Sequence, residues 1–68
     1  MTGNEWIGAF AAAIGTAAPD DATVEQLLAL AGAAAHASER TAAPIACWLV
    51  GRAGLDPAAA LEKAERMH

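Results

Sequence analysis

Sixty-eight residues make room for one small domain, which excludes a two-domain enzyme or a long repeat array. Apolar residues fill 56% of the positions, but 21 of them are alanine and only 17 are larger. The core is therefore thin, and below about 80 residues one core rarely supplies more than about 3–5 kcal/mol. Eight acidic against four basic residues give a net charge of −4, which argues against a nucleic-acid backbone or an anionic membrane as partner. One cysteine excludes an internal disulfide. Two histidines without a CxxC or HxxxH pair leave no structural zinc site, so packed helices or a partner subunit must supply the missing stability.

Alanine is the best helix former and β-branched residues are few, so propensity favours helix along most of the chain, and breakers divide it into four. Thr2 and Glu5 have the spacing of a capping box. Trp6, Phe10, Ala13 and Ile14 then share one helical stripe until Gly15, giving a first helix over about 4–14. Pro19-Asp20-Asp21 reads as a turn, and Thr23 with Gln26 has the form of a second capping box, opening a helix over about 23–38. Its expected apolar face is Val24, Leu27, Leu28, Ala31 and Ala35, with Ala34 on the flank, and Gly32 suggests a close helix crossing.

Ser38-Glu39-Arg40-Thr41 breaks the periodicity, and Thr41 followed by Pro44 reads as an N-cap with proline in the first turn of a third helix, about 42–53. Ile45, Ala46, Cys47, Trp48, Leu49 and Val50 leave that helix apolar on every side, as in a central helix or an interface. Gly54 closes it, Asp56-Pro57 caps and starts a fourth helix running to the end, and Glu62 and Arg66 form an i,i+4 surface pair there. The expected fold is all-α, a single domain over residues 1–68 built as a small bundle of four short helices. The longest charge-free stretch, 6–19, is shorter than the roughly 20 residues of a membrane-spanning helix. The acidic residue in Met1-Thr2-Gly3-Asn4-Glu5 is unlike a secretory n-region, so the expected location is cytoplasmic.

His36, Arg40 and Thr41, with Glu39 between them, form the one polar cluster of any diversity. Arg40, the Thr41 hydroxyl and the first amides of the third helix would suit a phosphate or carboxylate, with His36 as a further donor. The plainer reading of the same residues is helix-end charges for the second helix and a cap for the third, as occur on most helices. Cys47 lies mid-helix among apolar neighbours, as core filler and not as a thiolate nucleophile. His36, Glu39 and His68 are too few and badly spaced to hold a metal, and no resident cofactor is expected. Trp6, Phe10 and Trp48 read as core, with an interface as the alternative. Along the third helix the interface residues would be Ile45, Trp48 and Leu49.

The segment Ala35-His36-Ala37-Ser38-Glu39-Arg40-Thr41-Ala42-Ala43-Pro44-Ile45 resembles a small uncharacterised helical domain family of high-GC bacteria, whose pattern is AH, a basic position, AAP and an apolar helix ending in glycine. Trp6-Ile7 with Ile14-Gly15, and Leu27-Leu28-Ala29-Leu30-Ala31, are similar to that family too, and separately the excess of alanine, with three arginines to one lysine, suggests a GC-rich bacterial source. Members stand alone or are fused to a molybdenum-cofactor guanylyltransferase. The resemblance therefore implies a link to molybdopterin guanine dinucleotide synthesis or molybdoenzyme maturation, without supplying an activity. Two readings follow: a non-catalytic interaction or accessory module with a protein partner or a second copy, or a small protein holding a phosphate-bearing cofactor at His36, Arg40 and Thr41. An enzyme is not expected, because too few polar groups converge to position a substrate.

Overall fold

The computed structural model describes residues 1–67, and within them the chain is all helix and connecting turns, with no strand. In order come α1 (Gly3–Ala13), α2 (Asp21–Ala37), α3 (Ala42–Ala53) and α4 (Pro57–Glu65). The Thr2 and Glu5 box forms as the spacing requires: the Glu5 amide donates to Thr2 Oγ1 at 3.1 Å, and the Thr2 amide donates to Glu5 Oε1 at 2.8 Å. Gly15, at φ +81°, ends α1 in a Schellman turn, its amide bonding Ala12 O at 3.1 Å and the Thr16 amide bonding Ala11 O at 2.9 Å. Asp56 caps α4 through the Ala59 amide at 3.2 Å, with Pro57 in the first turn, where no amide donor is needed. The Arg66 guanidinium reaches Glu62 at 2.8 Å, an exposed pair worth a few tenths of a kcal/mol.

Two caps differ from the sequence reading. Asp20, and not Thr23, caps α2: its carboxylate accepts the Thr23 amide at 2.8 Å, so the helix begins two residues earlier and no Thr23–Gln26 box exists. Asp20 holds extended backbone, φ −76° and ψ 171°, the conformation from which a capping carboxylate reaches the following amides. Thr41 makes no capping hydrogen bond at all. Its backbone is itself helical, with φ −67° and ψ −16°, whereas a capping residue normally holds an extended conformation from which its oxygen faces the next turn.

Packing is organised by α2, which lies against both α3 and α4; α1 makes no comparably extensive contact with any helix. The buried residues are one each from three helices: Ala11, Leu30 and Ala60. Leu28, expected inside, is exposed and Leu30 is inside instead, while Val24, Leu27, Ala31, Ala34 and Ala35 of the expected face are half-buried. The central helix is thus α2 and not α3, none of whose residues is buried. Gly32 marks no close crossing, since a side chain added there would meet open space. The stripe of α1 also points outward: Trp6 and Phe10 stack with centroids 5.0 Å apart, and both remain exposed along with Ile14. Ala11 takes the inner position.

The caps set an acid limit. The Thr2 backbone amide, and secondarily its hydroxyl, lower the pKa of Glu5, while hydrogen bonds from Thr23 lower that of Asp20. A carboxyl depressed in the folded state stabilises it above the unfolded pKa, and that contribution disappears as pH falls through the folded value. Helix content followed by circular dichroism should be constant from neutrality to about pH 5 and decline below about pH 4. Asp20→Ala should lower Tm at neutral pH and remove part of this acid response. Thr41→Ala should leave Tm unchanged, and an equal loss in both variants would contradict the cap assignment.

Candidate functional site

The corner between α2 and α3 is built from the end of one helix and a tight turn into the next. Ser38 closes α2, its amide and hydroxyl both donating to Ala34 O, at 3.1 and 2.7 Å. The Ala42 amide then donates to Glu39 O at 2.9 Å and the Ala43 amide to Arg40 O at 3.1 Å, while Pro44 has no amide hydrogen. The first amides of α3, which an anion would need, are therefore engaged within the turn or missing.

His36, Arg40 and Thr41 are all exposed, and the structure does not aim them at one point. His36 lines a recess on the α4 side with Glu65 and Met67. Thr41 lines a groove on the other side, with Glu39, Ile45 and Leu49. Arg40 lines neither of these hollows. Cys47 sits half-buried where α3 meets α2, its Sγ 3.8 Å from Leu27 O, a weak thiol contact that fits a packing role. No group of three metal-binding side chains occurs among the described residues. His68, weighed as a third ligand, lies outside them.

The apolar residues are brought together much more closely than the polar ones. Ile45, Trp48 and Leu49 stand at i, i+3 and i+4 on the outer side of α3, with Trp48 62% exposed and its two neighbours more than half exposed. Leu49 of this stripe also lines a hollow of about 430 Å³, walled by Leu30, Ala34, Ala42, Ala46 and Met67 among others, with Ser38 as its one hydroxyl. Aromatic and aliphatic side chains projecting beside a groove walled by alanine are the anatomy of an interface centre. Trp6, Phe10 and Trp48, read as core with an interface as the alternative, are all exposed, and so is Leu28, which was expected inside. Their helical periodicity was plain, yet periodicity reports that a face is apolar and not which neighbour covers it.

No helix among the described residues is long and apolar enough to cross a membrane. No curated protein and no solved structure matches the chain. A family model does match, over residues 1–68, and its description is a domain of unknown function, DUF6457. With that match covering its full sequence, the chain belongs to the DUF6457 family of uncharacterised domains.

Proposed function

We propose that this domain is a non-catalytic association module that works through the outer face of α3. The observation that carries the reading is the exposed stripe of Ile45, Trp48 and Leu49, three large apolar side chains on one side of α3, of which Leu49 also lines an apolar groove. Isolated apolar residues on a surface are ordinary, but a contiguous set beside a groove marks a site that another polypeptide covers. Catalysis asks for several polar groups held in register, and the most diverse polar set here faces different hollows. Holding an anion at His36, Arg40 and Thr41 gains no support from the geometry, since the Ala42 and Ala43 amides are already used.

The resemblance of residues 35–45 to domains fused behind molybdenum-cofactor guanylyltransferases suggests the setting: a cytoplasmic accessory role in bacterial molybdopterin guanine dinucleotide synthesis or molybdoenzyme maturation. The test is affinity capture from an extract of the native host with the wild-type domain and with Trp48→Lys, followed by mass spectrometry and by titration of the purified guanylyltransferase. Expected is a molybdenum-cofactor protein, or a second copy of the domain itself, retained by the wild type and lost from the variant. Equal retention by both would overturn the assignment of this face.

A further inference from the structure

The structure exposes more surface than a finished domain of its size. A compact monomer of 6.8 kDa is expected to show about 4,000 Å² to solvent, whereas this chain shows 5138 Å². The excess, about 1,100 Å², compares with about 800 Å² that each partner contributes to a stable protein interface. The radius of gyration points the same way: 12.3 Å against about 11 Å for a compact chain of this length. The three buried residues, two of them alanine, make a core too small to be the whole of the apolar assembly.

We propose that a second copy of this chain covers the α3 face, the Ile45, Trp48 and Leu49 stripes of the two copies packing together across a two-fold axis. This rests on the association reading above and names the occupant of its apolar face. Residues 41–51 contain no charged side chain, so nothing on the stripe repels an identical stripe, even though the two chains carry −4 each. The nearest charges are Arg52, one turn beyond Trp48 and Leu49, and Arg40, beyond the other end of the stripe, so the centre of a contact between two copies holds no charge. An isologous contact covers part of that open area symmetrically, each α3 stripe lying on the other.

Sedimentation equilibrium of the full chain over a wide dilution series tests the proposal. The expected mass is twice 6.8 kDa at the concentrated end, and added sodium chloride should leave the association unchanged or strengthen it, because it screens the repulsion between two acidic chains. Trp48→Lys should give the single-chain mass with its helical circular dichroism retained. It lowers the negative charge, so dissociation there reports loss of the apolar contact. Ala58→Lys makes the same charge change on the exposed side of α4 and should remain a dimer.

A second measurement does not depend on the Trp48 variant folding. In Trp6→Phe, Trp48 is the sole tryptophan, and its emission should move to longer wavelength as the sample is diluted through dissociation. A single-chain mass at every concentration with the helices intact, an emission that ignores dilution, or a Trp48→Lys chain that is still a dimer would each overturn the two-fold contact. If the folded monomer nevertheless retains a host protein that Trp48→Lys loses, the association reading survives without it. If it retains none, both fall.

Discussion

Leu30→Ala is expected to unfold the isolated domain at low protein concentration. Leu30 is 4% exposed and is the one large side chain among the buried residues, held on the helix that contacts both α3 and α4. Removing a buried leucine side chain costs about 2–5 kcal/mol, through lost transfer energy and the cavity left behind. A domain of this size commands about 3–5 kcal/mol from its core, so a single truncation can consume the whole margin. Neighbouring alanines cannot refill the space, because a residue with only a β-carbon has no alternative rotamer to swing inward. Thermal melts by circular dichroism, run at several concentrations, check this. The loss should be most severe when dilute and partly recovered when concentrated, since association that favours the folded state stabilises it by mass action. A cooperative transition at the wild-type temperature would show that Leu30 is not the keystone of the core.

Leu28→Ala provides the contrast. That residue is 67% exposed on the same helix, so its truncation should alter stability little. The two leucines are chemically identical and two residues apart, and this is where the sequence is least able to discriminate. A run such as Leu27-Leu28-Ala29-Leu30 offers two overlapping apolar faces, and the choice between them is made by where α3 and α4 cross α2. Local chemistry, by comparison, was mostly legible: the Thr2–Glu5 box, the helix stops at Gly15 and Gly54, the Asp56-Pro57 start and the Glu62–Arg66 pair all occur as their spacing implies, while the Thr23–Gln26 box gave way to Asp20. They depend on residues within one turn of each other, so no tertiary information is needed. Thr41 failed as a cap for a local reason: its backbone is already helical, the Ala43 amide bonds Arg40 O within the turn, and Pro44 has no amide to offer. For the candidate site, the stripe Ile45, Trp48 and Leu49 was visible as an apolar helix surface. Its exposure was not, because burial is a property of the assembled neighbours.

Gly54→Ala and Gly32→Ala should shift stability in opposite directions, although the chemical change is the same. Gly54 sits at φ +66°, where its amide bonds Gly51 O at 3.2 Å and the Leu55 amide bonds Val50 O at 3.2 Å, closing α3 in a Schellman turn. An L-residue held in that left-handed conformation clashes with the adjoining carbonyl, at about 1–2 kcal/mol, and no neighbouring atom needs to be crowded for the penalty to apply. The space around Gly54 is indeed open, so the cost is conformational alone. Gly32 lies within α2 at an ordinary helical φ, with nothing near enough to meet an added methyl group. There alanine relieves the extra backbone entropy that glycine loses on folding, a gain of about 0.5–1 kcal/mol. Chemical denaturation of both variants beside the wild type, with equal slopes, should therefore give a lower midpoint for Gly54→Ala and a higher one for Gly32→Ala. A loss at Gly32 with the monomer fold intact would mean that another helix comes close to it in the assembled state, placing α2 within the interface as well as α3.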